Sequence, residues 1–203
     1  MVSQDTLSVY QTFDVLSASS THATLPFYYA GLSMSSKNQI VWGCVSALLF
    51  ACATLAILLA QSHGGFGWWI LLIHPRDPTT LLGVFTAPLF AATLYEWVNT
   101  TVVMIVLLIL GSVHGSRFLR ATIIVWVVAG VWVWVLGNSS IYYMTAASVC
   151  YGLCAWLIGR SVVQRDLFKI VLALTASALT VYVLPLSILH LGPIATAIVV
   201  SRR

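Results

Sequence analysis

The sequence predicts an all-α membrane protein, a bundle of six transmembrane helices with both termini on the cytoplasmic side. Its 203 residues are 60% hydrophobic and 7% charged, a composition that a water-soluble domain cannot hide in its interior. Ile40 to Ala60, Ala121 to Gly159 and Ile170 to Ser201 carry no formal charge, and Phe85 to Val113 carries only Glu96. One crossing takes roughly 20 apolar residues, so the two longest runs must each fold back once. Finally, the basic residues sort to one side of such a layout.

The elements follow in order. Residues 1–39 form a polar tail with Asp5 and Asp14, and no basic segment precedes an apolar core there, so no cleavable signal is expected. One membrane domain fills residues 40–203. Its helices are predicted at 40–61, 93–113, 118–137, 141–159, 167–185 and 187–201, with Gly137-Asn138-Ser139-Ser140 and Pro185 marking the fold-back points. The long connection from Ser62 to Ala92 contains Gly67-Trp68-Trp69 and several leucines and phenylalanines. It is too apolar for a free loop and is expected to lie at the membrane interface. Lys37, Arg117, Arg120, Arg160, Arg165, Lys169, Arg202 and Arg203 fall on one side of this layout and Arg76 on the other, which by the positive-inside rule turns both termini to the cytoplasm.

Composition and motifs also remove function classes. The net charge of +4 reads as topology, and no basic cluster sits on a soluble domain, so no nucleic-acid partner is expected. Cys44, Cys52, Cys150 and Cys154 lie in apolar spans and read as packing residues, with neither disulfide nor metal site expected. There is no phosphate-cradling glycine loop, no cofactor signature, no internal repeat of the transporter kind and no row of ionisable residues for ion passage. The lipid bilayer itself is an expected partner.

Three polar residues in apolar surroundings could carry chemistry. His190 is the histidine placed deep in a predicted helix, whereas His22, His63, His74 and His114 sit in the tail or near connections. It is either a general base or a neutral packing residue bonded to a neighbouring helix. Ser148 is the candidate nucleophile. Asn99 could donate to a developing oxyanion or hold two helices together. Tyr95 and Glu96 lie one turn before Asn99, and Glu96 reads as a solvated interfacial carboxylate.

From residue 40 onward the chain resembles the rhomboid family of intramembrane serine proteases, in particular its six-helix actinobacterial-type members. Tyr95-Glu96-Trp97-Val98-Asn99 is similar to the family's His-x-x-x-Asn motif, with Tyr95 in place of the histidine. His190-Leu191-Gly192-Pro193 is similar to the His-x-Gly-Gly of the last helix, with Pro193 replacing the second glycine. The family's Gly-x-Ser-Gly, anchored on the downstream Gly152, sets Ala147 at the nucleophile position and Ser148 one residue beyond it.

The resemblance therefore implies a pseudoprotease of the bacterial plasma membrane, a multi-pass protein that binds transmembrane segments of client proteins in a polar cavity of His190, Asn99, Tyr95 and Ser148. One alternative is an active intramembrane serine protease in which Ser148 attacks transmembrane substrate proteins and His190 is its base. Another is a structural subunit of a membrane complex. Moving one residue along a helix turns a side chain by about 100°, so the direction of Ser148 separates the first two readings.

Overall fold

A computed structural model describes residues 36–63 and 67–202, so most of the expected tail lies outside the described residues. Among them every regular element is helical, and one isolated antiparallel bridge joins Ile73 to Tyr143. Six principal helices run Ser36–Ser62 (α1), Leu94–Ser112 (α2), Ser116–Leu136 (α3), Ala146–Gln164 (α4), Leu167–Val183 (α5) and Leu191–Ser201 (α6). The first four are long and apolar enough to cross a membrane. The other two have 17 and 11 residues. At about 1.5 Å per residue both fall short of a hydrocarbon core roughly 30 Å thick.

Local chemistry sets the helix boundaries. Thr93 caps α2 by accepting the Glu96 amide at 3.1 Å, while the Glu96 carboxylate reaches back to the Ala92 amide at 2.9 Å. This reciprocal arrangement satisfies two otherwise orphaned donors, so Glu96 is a capping residue rather than merely a solvated one. Gly115, with φ +58°, makes the tight reversal between α2 and α3 that a residue with a Cβ resists. Asp166 caps α5 by accepting the Lys169 amide at 3.2 Å.

Several helix ends differ from expectation: α1 starts four residues early, α4 runs five residues late at both ends, and α6 starts four residues late. Residues 141–145 do not begin α4, because the Tyr143 carbonyl and amide are committed to Ile73 at 3.2 and 2.8 Å. Pro185 and the extended backbone at Leu184 end α5 two residues early, and the chain re-enters through a 3-10 turn, Ile188–His190. His190 is therefore at the mouth of α6 and not deep within a helix.

The bundle is built around α4. Two thirds of its most apolar window, 67%, is buried, against 17% for that of α1. It touches α2, α3, α5 and α6, while α1 packs on α2. In lipid the close approach of helices rests on small residues and interhelical hydrogen bonds. Gly152 shows the first of these, since a Cβ there would lie 2.4 Å from Val125 of α3 and 3.1 Å from Pro193 of α6. Trp97 shows the second, its indole N–H donating to the Thr54 hydroxyl of α1 at 2.9 Å.

The apolar connection before α2 is stitched to the bundle, in keeping with the expectation that it is not a free loop. Arg76 holds a left-handed backbone, φ 65°. Its amide donates to Trp134 O at 3.0 Å and its guanidinium to Gly137 O at 3.1 Å. The Trp134 indole returns a bond to Asp77 O at 3.1 Å. Ile73 and Ala87 are fully buried, yet Trp69, Ile70, Leu82 and Phe85 remain exposed.

Candidate active site

The site grows from the first turn of α4. Thr145 precedes that helix with φ −113° and ψ 8° and does not cap it through its side chain. The first amide with an intrahelical partner is that of Val149, which donates to Thr145 O at 3.1 Å. The amides of Ala146, Ala147 and Ser148 therefore find no acceptor among the described residues, as the opening turn of any uncapped helix requires. They place the positive end of the helix dipole beside Ser148.

Ser148 is buried, and its Oγ lies 2.8 Å from His190 Nδ1. The other ring nitrogen, Nε2, is 3.1 Å from the carbonyl oxygen of Pro185. A carbonyl can only accept, so the hydrogen-bond network assigns the proton to Nε2. Nδ1 is then the free acceptor, and the Ser148 hydroxyl donates to it. This is the tautomer that a general base needs. It is Ser148 and not Ala147 that meets the histidine, although both lie in the same helix as Gly152.

Tyr151, three residues along the same helix, completes the setting. Its ring stacks on His190 with centroids 4.6 Å apart at 21°, and its hydroxyl donates to Leu184 O at 2.6 Å. The Leu184 and Pro185 carbonyls are thus held side by side, one by Tyr151 and the next by His190. On the following turn the Thr180 hydroxyl donates to Ala176 O at 2.8 Å. The Cys154 thiol, 3.1 Å from Thr180 Oγ1, is left to act as its donor.

Of the residues singled out in the sequence, the structure joins Ser148 and His190 directly. Asn99 is half-buried within α2, and its side chain makes no hydrogen bond to a described residue. Tyr95 is 77% exposed, so it does not share an enclosed polar cavity with the pair, and that expectation is corrected. Tyr151, Pro185 and Thr145 were not foreseen in these roles. An aromatic residue three positions after a serine at a helix start was the available signal for Tyr151. A carbonyl partner such as that of Pro185 leaves no trace in sequence. Thr145 Oγ1 is fully buried and unpartnered among the described residues, next to the open helix end.

The cysteines are free thiols, Cys44 and Cys52 exposed and Cys150 and Cys154 buried. Among the described residues no group of histidine, cysteine and acidic side chains gathers to hold a metal ion.

The chain is similar to uncharacterized proteins of Mycobacterium bovis and Mycobacterium tuberculosis, with 28% identity over 146 residues in each case. The match covers 69% of this chain and 61% of the relatives' length, so the chain spans less than two thirds of the curated proteins it matches. No family model matches the chain, and no solved structure matches it.

Proposed function

We propose that the chain is a rhomboid-like intramembrane serine protease in which Ser148 is the nucleophile and His190 its general base. The observation that carries this reading is the 2.8 Å contact between Ser148 Oγ and His190 Nδ1 in the tautomer set by Pro185. It also favours catalysis over the client-binding pseudoprotease expected from the Gly152 register, because that expectation required the hydroxyl to point elsewhere. The substrate would be the peptide backbone of another membrane-inserted segment.

In this mechanism the Ser148 hydroxyl gives its proton to Nδ1 as Oγ attacks the scissile carbonyl. The three unpaired amides at the start of α4 face the developing oxyanion. His190 returns the proton to the leaving amine, and water later repeats the sequence on the acyl-enzyme. The Pro185 carbonyl fixes the tautomer but carries no full negative charge, so it stabilises the imidazolium less than a carboxylate does. The pair stands at the third residue of α4, about 3 Å along the axis from its first, near one end of the span. Supporting this placement, the basic residues of the described helices gather at the opposite end, which makes the Ser148 end the outer one in a six-span layout with cytoplasmic termini.

Reconstitution tests the reading. Proteoliposomes of the full chain mixed with single-span peptides bearing small residues near the outer membrane face should yield cut peptides, and Ser148→Ala or His190→Ala should abolish them. Intact peptides that nevertheless co-purify with the unaltered protein would replace this reading with client binding.

A further inference from the structure

At the end of the bundle away from Ser148, α4 carries a buried cation with no counter-ion among the described residues. Arg160 is 8% exposed. Its Nη1 donates to Ser201 O at the end of α6, 3.2 Å away, and its Nε is buried with no partner among the described residues. The ion pairs among those residues are His74 with Asp77 and Lys169 with Asp166, so no described carboxylate answers Arg160. A guanidinium does not deprotonate in proteins. Burying one unpaired is unfavourable, and an anion from outside the described residues would offset that cost.

The surroundings deepen the deficit. His114, in the reversal between α2 and α3, packs edge-on against Trp156 with centroids 5.3 Å apart, one helical turn before Arg160. Lys169, Arg160 and Arg117 all lie close enough to oppose a charge on that imidazole, with Asp166 acting in the other direction. Three cations thus stand against one carboxylate, itself held by Lys169 at 3.1 Å. Leu167, Phe168 and Leu119 frame this end at 74%, 73% and 61% exposure. Large apolar side chains beside cations at helix ends match the boundary between acyl chains and headgroups.

We infer that the basic cluster of Arg117, Arg160 and Lys169 at this end of the bundle binds the phosphate of an anionic phospholipid, whose acyl chains lie along Leu119 and Phe168. A zwitterionic headgroup carries its own cation and neutralises the cluster less, so the site selects net negative charge. The inference requires the helices to sit in a bilayer and does not depend on the proposed catalysis.

The test uses the full chain in neutral detergent with phosphatidylglycerol, phosphatidylcholine or inorganic phosphate added, read by native mass spectrometry and thermal midpoint. Phosphatidylglycerol should be retained and should raise the midpoint, whereas the other two additions should not. The double variant Arg117→Gln, Lys169→Gln removes two exposed or half-buried charges and leaves Arg160 in place. It should bind phosphatidylglycerol about 30-fold more weakly, on the scale expected for two interfacial basic residues. Equal retention of phosphatidylcholine, undiminished affinity in the double variant, or a full shift from inorganic phosphate alone would each overturn the lipid site.

Discussion

Ser148 reaches His190 because the 3-10 turn Ile188–His190 sets the imidazole against the first turn of α4. Ala147, Ser148 and Gly152 all lie in one unbroken helix, so a register counted back from Gly152 names positions without saying which of them the histidine meets. The residue types of the pair were therefore legible in the sequence, whereas their meeting was not. Two residue-scale predictions follow from the neighbours. Tyr151→Phe keeps the stacked ring but leaves the Leu184 carbonyl without its donor. It should cost about 1–3 kcal/mol of stability in denaturant titrations in detergent, and should lower turnover by loosening the segment that carries Pro185. Thr145→Val removes a fully buried, unpartnered hydroxyl while keeping its shape. Thermal unfolding should show unchanged or raised stability, because an unsatisfied buried hydroxyl is itself a cost, and a drop in stability would show that the hydroxyl has a partner after all.

At the scale of the elements, charge-free runs located the six principal helices with ends up to five residues away, since lipid leaves little choice but a helix for such segments. The errors fell where a tertiary contact overrides local preference. Tyr143 pairs with Ile73 instead of starting α4, and Pro185 hands the chain to a 3-10 turn. The connection before α2 was legible as apolar and interfacial, but its bonds to the end of α3 pair atoms some 60 positions apart and leave no local pattern. The crossing of α4 with α3 and α6 depends on Gly152, where an added Cβ would fall 2.4 Å from Val125. Gly152→Ala should destabilise the bundle by about 1–3 kcal/mol, the range for overpacking, measurable as a lower denaturation midpoint. Because Pro193 lies on the same crossing, the substitution should also disturb the approach of His190 to Ser148.

The whole molecule places its two polar centres at opposite ends of one buried helix, Ser148 at the start of α4 and Arg160 near its close. The basic end has a pH signature. Burial and the nearby Lys169, Arg160 and Arg117 push the His114 pKa from 6.5 down to about 4. Below about pH 6.5 the unfolded chain takes up a proton that the folded chain refuses, so folding stability is whole above that pH and falls as pH drops toward about 4. Thermal midpoints between pH 7.5 and 4.5 should show this decline, and His114→Gln should make it shallower. Asp77 and Asp166, both held below the usual carboxylate range by hydrogen bonds to Thr79 and Lys169 respectively, contribute only at lower pH and leave that window clear.

The central claim is that Ser148 and His190 are a working nucleophile and base. It is tested most directly by treating the membrane-reconstituted chain with a fluorophosphonate and locating the adduct by peptide mass spectrometry. A single adduct is expected on Ser148, absent in Ser148→Ala and in His190→Ala, with no adduct at position 147 in Ala147→Ser. An unlabelled parent chain, or labelling that appears only in Ala147→Ser, would contradict it.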